Sequence, residues 1–154
     1  FLLKYGAAIA TGTGTDLKYT EPLKEGILLL VNPGTEVSTA AAYKKYDELY
    51  AEGKIPSEAH QEAEKIADVM AQGLDALIGK TKNVLEYPAF EFEPVIKEIK
   101  EELYKMGAAV AMMSGSGATV FGIFKEKDKE NADKAKRLFD EKGFFTFTCD
   151  FGTV

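Results

Sequence analysis

Residues 108–124 read Ala-Ala-Val-Ala-Met-Met-Ser-Gly-Ser-Gly-Ala-Thr-Val-Phe-Gly-Ile-Phe. Apolar runs at 108–112 and 120–124 flank a turn built from Ser114, Gly115, Ser116 and Gly117, a pattern that predicts two strands joined tightly. The element on the far side of the turn decides the fold. Phosphate loops of the Walker type pass through Gly-x-x-x-x-Gly-Lys-Ser/Thr into a helix, and the dinucleotide fingerprint Gly-x-Gly-x-x-Gly also opens one. Here no such lysine is present, no glycine stands three residues after Gly117, and the chain continues as a β-branched and aromatic strand. Two physical readings stay open. The small residues let backbone amides form a concavity for an anion, or they form a hairpin that needs glycine for positive φ and nothing more.

Toward the C-terminus, Ala132, Ala135, Leu138 and Phe139 mark the inward face of a helix over about Asp128–Glu141. Gly143 serves as its C′ residue, and Phe144–Cys149 reads as a closing strand. Toward the N-terminus, Phe92, Val95, Ile96, Ile99 and Leu103 form the buried stripe of a helix over Glu91–Lys105, with Pro94 tolerated in its first turn. Before it, Val84-Leu85 and Pro88 come after the polar connection Lys80–Asn83. A longer helix capped by Ser57 is expected from the period of Ala59, Ala63, Ile66, Ala67, Met70, Leu74 and Leu77, ending at Gly79. His60 then reads as a solvated helix residue among Glu58, Gln61 and Glu62.

Ser38 caps another helix through Tyr50, placing Thr39, Tyr43, Tyr46 and Tyr50 on one face. Ahead of it lies the apolar strand Ile27–Val31, which Asn32-Pro33-Gly34 stops. Phe1–Ala10 and Asp16–Tyr19 make a hairpin around Thr11-Gly12-Thr13-Gly14-Thr15. From residue 27 onward the order is β-α-α-α-β-β-α-β. Without the extra helices this is β-α-β-β-α-β, the α+β, ferredoxin-like split β-α-β arrangement of one antiparallel sheet with helices on one face.

At 154 residues the chain supports one core. Its 19 Lys and Arg against 25 Asp and Glu give a net charge of −6 and no basic block, so no nucleic-acid partner is expected. No apolar stretch approaches the roughly 20 residues that span a bilayer, so no membrane partner is expected either. An anionic ligand would have to be held by local amides, helix N-termini and Mg²⁺ rather than by the overall field. Cys149 is the one cysteine and His60 the one histidine, which excludes an internal disulfide and makes a zinc cluster or Ser-His-Asp triad within the chain unexpected. A lone cysteine suits a reducing compartment. The chain opens on Phe1-Leu2-Leu3 without Met or a signal-peptide pattern, as expected of a cut within a larger protein.

Asn32-Pro33-Gly34 after an apolar strand, Val37-Ser38-Thr39-Ala40 opening a helix that carries Tyr43, and Met113 to Phe121 resemble the C-terminal half of a GHMP-superfamily kinase. The resemblance runs from Ala8-Ile9-Ala10-Thr11-Gly12 through Asn83-Val84-Leu85-Glu86 to the closing strand. It implies ATP- and Mg²⁺-dependent transfer of a γ-phosphoryl group to the 2-hydroxyl of a cytidine-diphosphate-linked methylerythritol, in cytoplasmic non-mevalonate isoprenoid synthesis. Ser114, Gly115, Ser116, Gly117 and Ala118 would form the phosphate and substrate loop. Tyr43 stands where the family stacks an aromatic on cytosine, with Thr39 one turn earlier close to the substrate. A tyrosine exposed at a helix start can stack on a base for roughly 1–3 kcal/mol.

The family's catalytic lysine, catalytic aspartate and ATP loop lie upstream of these motifs. The resemblance therefore implies no catalytic residue and no metal ligand in this chain. Residues 1–24 would be remnant strands of an N-terminal domain, residues 25–154 the C-terminal domain, and the missing domain its partner; alone, the chain would be inactive. Val84 departs from the family's usual Asn-Asp-Leu-Glu. Two alternatives remain: a homoserine- or mevalonate-type kinase of the same superfamily, and a ferredoxin-like ligand-binding module without chemistry.

Overall fold

Thr11-Gly12-Thr13-Gly14-Thr15 turns the chain back so that β1 (Ala7–Thr11) pairs with β2 (Asp16–Thr20) as a two-stranded antiparallel ribbon. The computed structural model describes residues 7–60 and 63–151. The expected strand residues 1–6, Gln61 and Glu62 beside His60, and the side chain of Ala63 lie outside that description.

After the ribbon come β3 (Ile27–Asn32), α1 (Thr39–Ala51), α2 (Ala63–Met70), α3 (Leu74–Leu77), α4 (Glu86–Phe92) and α5 (Pro94–Lys105). The chain closes with β4 (Val110–Met113), β5 (Val120–Phe124), α6 (Lys129–Glu141) and β6 (Phe145–Asp150). The four-stranded sheet has the order β4-β5-β3-β6, antiparallel throughout, which is the split β-α-β topology read from the sequence.

Alternation along the strands sends Leu29, Val31, Met113, Val120 and Phe124 to one face, where each is at most 1% exposed. Ile96, Ile99 and Leu103 of α5 and Ala132, Ala135 and Phe139 of α6 meet them there. Gly122 allows the close approach, since a Cβ at that position would lie 3.0 Å from Leu103 Cδ2. Burial of this size, at about 1.5–3 kcal/mol for each large side chain, makes this face the main source of stability.

The opposite face differs from expectation. Leu74 and Leu77 of α3, with Ile66, Val69 and Met70 of α2, pack against Leu28, Val110 and Ile123, so helices cover part of the second face as well. The expected long helix over 57–78 is also broken. Ser57–Ala59 is a short 3-10 turn with no side-chain cap, and Gly73 at φ +96° separates α2 from α3. Periodicity survives such a break because each piece still turns its apolar residues inward.

The expected helix over Glu91–Lys105 is likewise two. Glu93, at φ −135° and ψ 82°, ends α4, and Pro94 starts α5 without needing a backbone donor. Phe92 consequently leaves the buried stripe and is 44% exposed. Ser38 behaves as read, its hydroxyl accepting from the Ala41 amide at 3.4 Å.

Candidate functional site

The turn between β4 and β5 is short because its own backbone closes it. Ser114 N donates to Thr119 O at 2.8 Å, and Gly117 N donates to Ser114 O at 3.1 Å. Among the described residues, the amides of Gly115 and Ser116 meet no acceptor. The two glycines serve different ends. Gly115, at φ +60°, has nothing within 4 Å of where a Cβ would sit, whereas at Gly117, φ +103°, a Cβ would lie 3.1 Å from Met113 Sδ and 3.3 Å from Val37 Cγ2. The loop is therefore open at Gly115 and packed on the core at Gly117. Ala118 goes further inward, 3% exposed within the main core.

Three neighbouring segments pin the loop. From the end of β3, Asn32 Nδ2 donates to Thr119 Oγ1 at 2.8 Å, while Asn32 Oδ1 accepts from Gly34 N at 2.7 Å. From the start of α1, the Thr39 and Ser116 hydroxyls share a hydrogen bond of 2.8 Å. From the approach to α4, Asn83 Nδ2 donates to Met113 O at 2.9 Å and to Gly115 O at 2.8 Å. Glu86 adds a buried contact, its Oε1 accepting from Met113 N at 2.9 Å while Oε2 takes Lys100 Nζ at 2.6 Å.

Thr39 and Ser116, 77 positions apart, are thus brought together, and Tyr43 lies one turn further along α1 with its side chain exposed. An open cavity of about 420 Å³ adjoins the loop, bounded by Ser114, Gly115, Asn83, Lys82 and His60. Neither Thr39 nor Tyr43 lines it. Lys82 Nζ reaches the Glu58 carbonyl.

His60 is not on a helix. It extends from the short turn, exposed, with Nε2 2.5 Å from the Tyr46 hydroxyl. The rings of Tyr46 and Tyr50, stacked at 6.1 Å, both meet its imidazole edge-on. Burial, with the neighbouring Tyr50 and Asp47 adding to it, pushes the Tyr46 phenol above its ordinary value. Tyr46 and Tyr50 therefore belong to a surface cluster, and Tyr43 alone of the helix's tyrosines stands apart from it.

Asn83, Glu86 and Lys100 received no role from the sequence. A signal was present: Asn with Glu three residues later, ahead of an apolar run, marks a helix start. Val84, where an acidic residue is usual, is half-buried against Leu49, Ile55 and Ala59. An apolar side chain suits that position, and the polar contacts to the loop come from Asn83 and Glu86 instead.

The family model for the C-terminal domain of GHMP kinases matches residues 57–143, and the chain belongs to that family. Among its relatives, a protein of Alkaliphilus metalliredigens (strain QYMF) named 4-diphosphocytidyl-2-C-methyl-D-erythritol kinase is 38% identical over 140 residues, 91% of this chain and 45% of that protein. A protein of the same name from Syntrophus aciditrophicus (strain SB) is 36% identical over 151 residues, 97% of this chain and 50% of that protein. The chain thus spans about half the length of the curated relatives it matches. A crystal structure of 4-(cytidine 5'-diphospho)-2C-methyl-D-erythritol kinase superposes on 96% of this chain and 50% of its own, at 25% identity and a TM-score of 0.64.

Proposed function

We propose that the full-length protein is an ATP-dependent kinase acting on the 2-hydroxyl of 4-diphosphocytidyl-2-C-methyl-D-erythritol, in non-mevalonate isoprenoid synthesis in the cytoplasm. Residues 25–154 form its substrate-side C-terminal domain, and the ribbon before them belongs to the domain that precedes it. The observation that carries this reading is the hydrogen bond between Thr39 and Ser116. It joins the helix bearing Tyr43 to the loop whose outward amides suit phosphate, so a base and a phosphate can be held by one surface.

ATP supplies the γ-phosphoryl group. The amides of Gly115, which is exposed, and Ser116, which is half-buried, fit a phosphate oxygen, because both residues are small and neither amide has an internal acceptor. Among the described residues no group of three or more His, Cys, Asp or Glu side chains is placed to hold a metal. They offer Mg²⁺ no ligand cluster of their own. Phosphoryl transfer also calls for a lysine to stabilise charge and a carboxylate to orient the hydroxyl, and in this reading both come from the half outside the chain.

Tyr43 stacks on the cytosine, and Thr39 orients the sugar side of the same ligand. An acceptor of homoserine or mevalonate type gives Tyr43 no base to stack on. The test is ADP release by the full-length protein with ATP and the cytidyl substrate. Tyr43→Ala is expected to raise KM for that substrate about 5- to 150-fold, the range that stacking supplies. The melting temperature should hold, since the ring is 55% exposed. An unchanged KM with a melting point lowered by several degrees would show that Tyr43 is packing. ADP formation by the isolated 154-residue chain would overturn the division of labour.

A further inference from the structure

Asn83 contacts the loop beside a cavity that neither Thr39 nor Tyr43 lines, and binding of base, sugar and phosphate leaves it without a task. We propose that Asn83 is a positioning residue that locks the Gly115–Ser116 peptide in the orientation that aims the Ser116 amide at phosphate, with Glu86 anchoring the strand beneath. This rests on the kinase reading of the loop.

The turn itself defines two peptide orientations. Gly115 sits at φ +60°, no described non-glycine residue has positive φ, and Gly117 N bonds Ser114 O at 3.1 Å. That combination is the signature of a type II′ turn with glycine first. A trans peptide is planar with its C=O and N–H on opposite sides. An inward carbonyl therefore means an outward amide. The Ser114 carbonyl is turned inward by the Gly117 amide, which leaves Gly115 N–H outward. The Gly115 carbonyl is turned inward by the Asn83 carboxamide at 2.8 Å, which leaves Ser116 N–H outward.

The alternative is a flip of that one peptide, giving a type I′ turn whose carbonyl would face the ligand. Glycine at 115 can take part in both turns, since II′ depends on its missing side chain and I′ keeps φ positive there, and nothing lies within 4 Å of where a Cβ would sit. Serine at 116 resists it modestly, because I′ needs positive φ there. Asn83 adds the specific restraint. Its own orientation is fixed by chemistry: Oδ1 must accept from Leu85 N at 3.0 Å, and Nδ2 must face the Met113 and Gly115 carbonyls. Exchanging the amide's oxygen and nitrogen would oppose like groups at all three contacts. Glu86, 8% exposed and neutralised by Lys100, holds Met113 N from beneath, so the strand that feeds the turn cannot drift.

The experiment uses the full-length protein in two arms. In the wild type, pyrophosphate is titrated while amide resonances are monitored; Gly115 and Ser116 should shift and Ser114 and Gly117 should not. The reverse pattern overturns the orientation without reference to any variant. In the second arm, Asn83→Asp sets a carboxylate against the Gly115 carbonyl. It should lower kcat about 100- to 1,000-fold, the scale of a lost oxyanion donor. KM for the cytidyl substrate should stay within about twofold, because Thr39 and Tyr43 do not line the cavity that Asn83 borders. It should also abolish the pyrophosphate shift at Ser116. A variant that keeps wild-type kcat and the Ser116 shift refutes the lock. A wild type whose loop shifts with pyrophosphate but which phosphorylates no cytidyl substrate refutes the kinase reading and leaves the lock standing.

Discussion

The two faces of the four-stranded sheet are made from the same strands and are treated differently by the fold. One face is closed by α5 and α6, with Leu29, Val31, Val120, Phe124 and Phe139 fully buried. Among the described residues, helices close the other only near Leu28, Val110 and Ile123, where α2 and α3 lie. At its loop end Phe147 is 50% and Phe145 66% exposed. Strand composition does not set this difference, since β3 is apolar at each of positions 27–31. Helix continuity does: α5 and α6 lay 12 and 13 residues along the sheet, whereas the glycine at 73 divides the second-face helices into pieces of eight and four.

The largest expected effect tests the closed face. Phe124→Ala removes a fully buried ring and should cost about 3–5 kcal/mol, seen in chemical denaturation as a lower midpoint with little change in slope. A loss below about 1 kcal/mol would mean the two faces are energetically alike. Next, Gly122→Ala pushes a methyl to 3.0 Å from Leu103 Cδ2 and should destabilise by about 1–3 kcal/mol as α5 is forced outward. Pairing it with Leu103→Val should recover part of that loss, whereas simple additivity would place the strain elsewhere.

On the open face, Phe147→Ser should change the stability of this chain by no more than about 0.5 kcal/mol. A larger drop in the isolated chain would show that the open end is packed in solution. The smallest effect concerns the edge strand β6. Asp140 on α6 takes Lys136 at 2.6 Å and Thr146 of β6 at 2.5 Å, and those hydrogen bonds, that of Lys136 first, hold its carboxyl below the usual value. The folded pKa is depressed, so the stabilisation is present above the unfolded pKa and lost as pH falls through the folded one. Melting curves of wild type and Asp140→Asn should differ slightly at neutral pH and converge below the ordinary carboxylate range; a constant difference would remove the ion pair as its cause.

Much of the fold was legible in the sequence because it depends on local spacing. The order of the strands, the Ser38 cap and the turn between β4 and β5 come from alternation, from a hydroxyl before an apolar period, and from small residues between two strands. The breaks at Gly73 and Glu93–Pro94 were harder to read, since an apolar period continues across a kink. His60 was misplaced for a related reason: charged neighbours suggested a solvated helix, while the ring is instead held by two tyrosines 14 and 10 positions away.

The candidate site divides the same way. Ser114 to Gly117 and the Thr39–Tyr43 spacing are properties of short stretches, and the sequence by itself determined them. That Thr39 reaches Ser116, that Asn83 turns the Gly115 carbonyl inward, and that Gly117 packs while Gly115 stays open were decided by tertiary structure alone. The reason is physical. A hydrogen bond between residues 32 or 77 positions apart depends on where the sheet and helices carry each end, and no local propensity encodes that distance.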